Sequence, residues 1–274
     1  MTESTAPVSQ IASRGRLRSA RELLRAKGRS TTRLFLVEGP QAVREALAGG
    51  RAREVLVSTD QLDRHAVLLE AAVTSRTPVW TAAADDLAAL SDTVSPQGII
   101  AVADWVDVPL ATALAGSPQL VLICVQVRDP GNAGTVIRCA DAFGADAVVL
   151  TTGSVELHNP KTIRASVGSV FHLPIAVSAE LAAAVEACHA AGLQVLAADG
   201  AGADELDRLT ASGELARPTA WLMGNEAWGL PEAERGYADR VVRVPIWGRA
   251  ESLNLSTAAA VCLYATAAAQ RGAS

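Results

Sequence analysis

The strongest constraint on the fold of this 274-residue chain is an alternation of short apolar runs with helical stretches, interrupted once and then resumed. In the first half the runs are Leu34-Phe35-Leu36-Val37, Glu54-Val55-Leu56-Val57, Val79-Trp80 and 98–103. Residues 41–48 and 60–73 are helical in composition. Ser19-Ala20-Arg21-Glu22 matches a capping box and predicts a short basic helix that continues through Leu23, Leu24 and Ala26. The stretch up to Pro118, with its prolines and glycine, reads as a linker. Strands are then predicted at 120–127, 147–150, 193–198, 219–223 and 240–246. Helices are predicted at 135–143, 160–167, 179–191 and 255–269. Strands that are apolar almost throughout imply a mainly parallel sheet covered on both faces, so the class is α/β. The expected organisation is a flexible tail at 1–12, a small α/β domain at 13–105, a linker at 106–118 and a larger α/β domain at 119–274.

Half of the residues are apolar and only 19% are charged, which excludes a disordered chain. No apolar run approaches the ~18 residues of a membrane span, so no membrane association is expected. The first ten residues lack a basic start and an apolar core, unlike a signal peptide. Cys124, Cys139, Cys188 and Cys262 are isolated, so the expectation is reduced thiols in a cytoplasmic protein, with no metal. The net charge of -5 is unevenly spread: residues 1–53 hold eleven Lys and Arg against four Glu. A basic lobe on an acidic body is an electrostatic footprint for a polyanion.

Three polar motifs stand at the edges of apolar runs. They are Asp129-Pro130-Gly131-Asn132-Ala133-Gly134-Thr135-Val136-Ile137-Arg138, Met223-Gly224-Asn225-Glu226-Ala227-Trp228-Gly229-Leu230-Pro231 and Glu251-Ser252-Leu253-Asn254-Leu255-Ser256. In open α/β sheets ligands bind at the carboxyl ends of strands, and these loops are placed to converge there. Asn132 is expected to cap the following helix, and Arg138 to lean back over the bare surface of Gly134 toward an anion or a polarised hydroxyl. Gly224 and Gly229 permit close backbone approach to a flat ligand. Glu226 is placed to hold Arg138 or Asn132 through a charge-assisted bond. Ser252 and Asn254 stand where one of them would cap the last helix. No G-x-G-x-x-G or Walker A sequence accompanies these motifs, and no Ser-His-Asp or paired-carboxylate arrangement can be assembled.

In order and spacing, Asn132-x-Gly134-x-x-x-Arg138, Gly224-Asn225-Glu226-x-x-Gly229-Leu230 and Ser252-Leu253-Asn254 resemble the three motifs of the SpoU (TrmH-type) branch of the SPOUT methyltransferases. Residues 164–174 resemble the stretch between the first two. Phe35-Leu36-Val37-Glu38-Gly39 resembles an L30e-like RNA-binding domain. The resemblance implies a SPOUT domain with a C-terminal trefoil knot. It also implies methyl transfer from S-adenosyl-L-methionine to a ribose 2′-hydroxyl, with 23S ribosomal RNA favoured over tRNA, and a homodimer formed through the knotted domain. A tRNA methyltransferase and a catalytically silent RNA-binding relative are the alternatives. The implied catalytic set is Arg138, Asn132, Glu226, Ser252 and Asn254. The implied donor-binding set is Leu222, Met223, Gly224, Asn225, Gly229, Ile246, Leu253, Leu255 and Ser256. The RNA is expected on Arg18, Arg21, Arg25, Lys27, Arg29 and Arg164. A guanidinium is a poor proton acceptor, so Arg138 is expected to orient the hydroxyl and to stabilise its developing charge.

Overall fold

The apolar runs form two separate sheets in a computed structural model that describes residues 10–272 apart from Asp92, Val94 and Glu226. The chain divides into two units. The first comprises residues up to Val106 together with His158–His172; the second comprises Asp107–Leu157 and the chain from Leu173 onward.

The first unit runs β1 (Gln10–Ile11), α1 (Arg14–Glu22), α2 (Ala26–Thr32), β2 (Leu34–Glu38), α3 (Pro40–Ala48), β3 (Ala52–Ser58), α4 (Ala66–Thr74), β4 (Val79–Ala82), α5 (Ala84–Ala88) and β5 (Ile99–Asp104). Its sheet has the order β1-β4-β3-β5-β2 among the described residues. The β3–β5 and β5–β2 pairs are antiparallel and the others parallel. Helix α1 starts earlier than the capping box at Ser19 predicts. Ser13 is extended and its Oγ accepts from the Arg16 amide at 3.3 Å, so Ser19 falls inside the helix. A ring stack completes this unit: the imidazole of His158 lies 4.5 Å from Trp105 at 11° and 4.8 Å from Phe35. The Val106 amide donates to its Nε2 at 3.2 Å, which requires that nitrogen to be unprotonated. Burial first, then Arg29 and Arg33, hold the His158 pKa down at about 3.

The second unit runs α6 (Leu110–Ala113), β6 (Leu120–Cys124), α7 (Pro130–Ala142) and β7 (Ala147–Thr151). The chain then passes through α8 (Pro160–Ser166), which belongs to the first unit. It resumes with β8 (Ile175–Ala179), α9 (Leu181–Ala190), β9 (Gln194–Ala198), β10 (Asp204–Glu205), α10 (Leu206–Ala211) and β11 (Thr219–Met223). The last elements are α11 (Glu232–Arg235), β12 (Arg240–Arg243) and α12 (Leu255–Gly272). Among the described residues the sheet has seven strands, all parallel, in the order β10-β12-β9-β11-β6-β7-β8.

Every residue of β6, β7 and β11 is buried, as strands covered on both faces require. Sequence reading misses β8, whose short apolar stretch Ile175-Ala176-Val177 follows Pro174 directly. The stretch read as a linker contains α6; Ala113 and Leu114 enter the core, and the Val108 amide donates to the Ile175 carbonyl at 2.9 Å. Trp221 is fully buried in β11, and its Nε1 donates to Thr266 Oγ1 of α12 at 2.9 Å. That bond avoids the cost of about 1–3 kcal/mol for an unpaired buried donor.

Candidate active site

Strands β12, β9 and β11 are neighbours, and their carboxyl ends open on one cavity of about 450 Å³. Ala198 ends β9, with Asp199 and Gly200 after it, and Met223 ends β11, with Gly224, Asn225, Ala227 and Gly229 after it. Val244 and Ile246 follow β12, and Glu251 to Leu255 lead into α12. A cavity at this edge is what a parallel sheet offers, because the loops leaving adjacent strands diverge there.

The loop after β11 is locked on itself. Asn225 and Gly229 exchange backbone hydrogen bonds of 2.9 and 2.8 Å, and Gly229 has φ +67°. A Cβ at Gly224 would stand 2.3 Å from the Gly229 carbonyl carbon, so the crossing admits only glycine. Asn225 is 5% exposed; its Oδ1 accepts from the Ala227 amide at 2.8 Å and its Nδ2 donates to the Gln126 carbonyl at 2.5 Å. Gln126, just past β6, holds a left-handed conformation at φ +50° that non-glycine residues seldom adopt. Its own amide donates to Thr151 Oγ1 at 3.0 Å. A strained residue held from two sides, one of them by Asn225 of the cavity wall, is a sign of a preorganised site.

The first motif meets the third through Asn132. Its expected capping role falls to Asp129, whose Oδ1 accepts from the Asn132 amide at 2.9 Å. Pro130 occupies the first turn, where its missing N–H costs nothing. The Asn132 side chain is thereby freed, and its Oδ1 accepts from Asn254 Nδ2 and Ser256 Oγ, both at 3.3 Å. Asn254 Oδ1 in turn accepts from the Ser256 amide at 2.9 Å, so it is the residue that caps α12. Arg138 is exposed on α7, two turns beyond Asn132, but Gly134 is buried, so the open surface expected over it is absent.

Of the expected donor-binding residues, Met223, Gly224, Asn225, Gly229, Ile246, Leu253 and Leu255 line the cavity. Leu222 lies in the sheet core instead, because the alternation of β11 turns it away. Ser256 is buried beside the cavity and faces Asn132. Ser252 lines the cavity, and Glu226 lies outside the described residues. Sequence reasoning missed Asp199, although an acid followed by glycine at the end of an apolar strand is a legible signal. Its Oδ1 accepts from the Ala201 amide at 2.9 Å and from Arg235 at 3.1 Å.

Among the expected RNA-binding residues, Arg18, Arg21, Arg25 and Lys27 are exposed on α1, α2 and the turn between them. Arg29 is not: it is 2% exposed, and its Nη1 donates to the Leu23 and Leu24 carbonyls at 2.9 and 3.0 Å. Those carbonyls end α1, so Arg29 is committed to closing the helix. Arg164 is half-buried and pairs with Glu38 at 3.5 Å.

Comparison with known proteins bears on this arrangement. Residues 119–264 match the SpoU rRNA Methylase family, and residues 15–101 match the MRM3-like substrate binding domain. The chain belongs to the SpoU rRNA methylase family. It is 36% identical to the 23S rRNA (guanosine(2553)-2'-O)-methyltransferase RlmP of Bacillus subtilis, over 87% of this chain and 90% of that protein. It is 32% identical to the 23S rRNA (uridine(2479)-2'-O)-methyltransferase of Streptomyces viridochromogenes, over 84% and 81%. The crystal structure of the SpoU methyltransferase AviRb from S. viridochromogenes in complex with the cofactor AdoMet superposes with a TM-score of 0.81. It is 29% identical and covers 94% of this chain and 99% of that one. Within this SpoU family member, residues of the second and third polar motifs line the cavity, and the first motif joins the third through the Asn132 bonds to Asn254 and Ser256.

Proposed function

We propose that this protein transfers the methyl group of S-adenosyl-L-methionine to a ribose 2′-hydroxyl of 23S ribosomal RNA. The observation that carries the reading is the link from the cavity, through Asn254 and Ser256, to Asn132 on the helix that bears Arg138. That link joins a place for a donor to a place for an acceptor. Similarity to 23S rRNA 2'-O-methyltransferases over most of the chain supports the choice of RNA and of hydroxyl.

The cavity suits the donor in size and chemistry. Small-molecule sites span about 300–1,000 Å³ and combine apolar walls with a few polar groups. Here Met223, Val244, Ile246, Leu253 and Leu255 form apolar wall, Gly224 and Gly229 bring backbone close, and Asp199 supplies a carboxylate. Bound there, the donor would supply a methyl group activated on a sulfonium. The work of the chain is to bring the acceptor into line and to stabilise its charge. A neutral ribose hydroxyl is a weak nucleophile, and its oxygen becomes more negative as it attacks. A guanidinium donates hydrogen bonds and accepts none, so the role of Arg138 is to hold the neighbouring phosphate and stabilise that oxygen. Asn132, Ser252 and Asn254 keep the loops in register for it.

The basic surface of α1 and α2 recruits the RNA through its phosphates. We assign the apolar groove along α10 and α12, about 640 Å³ and bordered by Val261 and Tyr264, to a second copy of the chain. The knotted path implied by the family resemblance is part of the same reading, as is work in the cytoplasm. Among the described residues no helix is long and apolar enough to cross a membrane.

The deciding experiment incubates the protein with radiolabelled donor and unmodified 23S rRNA or tRNA transcripts, then digests the products to nucleosides. Label on the ribose of a 23S nucleotide is the expected result. Label on tRNA alone would move the substrate, and no label on either RNA would sink the reading.

A further inference from the structure

Two tryptophans beside the cavity are exposed in a way the rest of the second unit does not explain. Trp221 in β11 is fully buried, and its ring nitrogen is bonded, as that of a buried tryptophan usually is. Trp228 keeps 47% of its surface exposed and Trp247 keeps 86%. Both are neighbours in sequence of residues that line the cavity: Ala227 and Gly229 flank Trp228, and Ile246 precedes Trp247.

Trp228 is exposed but not loosely held. The Asn225–Gly229 backbone pair and the Asn225 Oδ1 bond to the Ala227 amide close the loop on either side of it. The guanidinium of Arg128 lies over its ring, 4.9 Å from the centroid, and Arg128 stands immediately before the motif that leads to Arg138. Trp247 belongs to a run, 246–254, in which every residue is exposed and which includes Arg249. Exposed aromatic rings interleaved with arginines suit the flat faces of bases and the phosphates between them.

We propose that Trp228 and Trp247 form a stacking platform for unpaired bases of the RNA at the mouth of the donor cavity. This rests on the RNA-methylation reading and deepens it. A ribose can reach a donor held among these loops only if its nucleotide leaves the RNA stack, and a base that leaves the stack needs a replacement surface. Arg128 holds the Trp228 ring in place by cation–π contact and adds positive charge for the flanking phosphate. Both tryptophans are therefore positioning residues, which act on the placement of the acceptor and not on the donor.

The test compares Trp228→Ala and Trp247→Ala with Trp228→Phe and Trp247→Phe. RNA affinity by filter binding, KM and kcat on a 23S rRNA transcript, donor affinity by calorimetry and assembly state by sedimentation are measured on the full chain. The alanine variants are expected to raise KM for RNA by roughly 10-fold to 100-fold, with donor affinity and assembly state unchanged and phenylalanine restoring most of the loss. An unchanged KM in both alanine variants would overturn the proposal. So would a change of assembly state, which would make these rings a protein interface. A wild-type protein that transfers no methyl yet binds RNA through Trp228 would overturn the methylation reading and leave the platform standing.

Discussion

The two units put polar side chains to opposite uses. In the first, arginines are drawn onto the fold: Arg29 is buried against the carbonyls that end α1, Arg33 lies 4.3 Å from the ring centre of Trp105, and Arg16 lies 3.7 Å from that of Trp80. In the second, amides and hydroxyls are drawn onto one sheet edge, where Asn132, Asn254, Ser256 and Asn225 tie three loops together. The first use makes a stable platform on which only part of the basic charge stays available. The second holds together the loops around the cavity. Substitutions in the first unit should therefore register as stability or RNA affinity, and those in the second as turnover.

Four changes test that division, beginning with the largest expected effect. Arg138→Ala should lower methyl transfer about 100-fold or more, the size of a lost charge-stabilising group, while donor affinity by calorimetry is kept. Near-normal turnover would remove Arg138 from the mechanism. Arg29→Ala should destabilise the first unit by about 3 kcal/mol in denaturant unfolding, because a buried and a half-buried carbonyl lose their donor and the buried side chain leaves a void. Donor affinity should be untouched; if instead RNA affinity fell at unchanged stability, Arg29 would belong to the surface set after all.

A third test uses pH. His158 is held down at about 3 from an ordinary 6.5. Its folded form is neutral, and the unfolded chain binds the extra proton, so stability is complete above 6.5 and falls as pH drops toward 3. At pH 5 the loss should be about 2 kcal/mol, absent in His158→Phe, and smaller in Arg29→Ala because one of the depressing charges is gone. A wild-type unfolding curve that is flat over this range would refute the neutral, bonded imidazole. The smallest effect expected is on RNA. Reversing Arg18, Arg21 and Arg25 together should weaken binding about tenfold and make the salt slope shallower by about 2 to 3, with turnover at saturating RNA kept. A salt slope equal to wild type would mean that the RNA is recruited elsewhere.

Much of the site was legible because its motifs are local. Each is a few residues at a strand end, and strand ends are marked by the change from apolar to small polar residues, as at Met223-Gly224-Asn225. The errors concern which of several capable side chains takes a shared task. Asn132 and Asp129 can both cap α7, and Ser13 and Ser19 can both start a helix. In each pair the choice turned on backbone geometry before the helix, because Asp129 and Ser13 are the extended residues there. Asp199 and Gln126 were missed because neither stands in a motif. One matters through the cavity and the other through a left-handed backbone, and both are properties of strands brought together.

By itself, then, the sequence determined the class and the cast. Apolar runs at strand length dictate a covered parallel sheet, and three polar motifs in family order dictate the kind of chemistry. Only the tertiary structure decided that β12, β9 and β11 stand side by side, so that loops far apart in the chain share one cavity. It also decided that Asn132 faces Asn254, that Arg29 is interior and that Trp228 is not. The reason is physical: periodicity reports which face of an element is apolar, while the choice of neighbour depends on contacts between residues a hundred or more positions apart, whose sum no local pattern records.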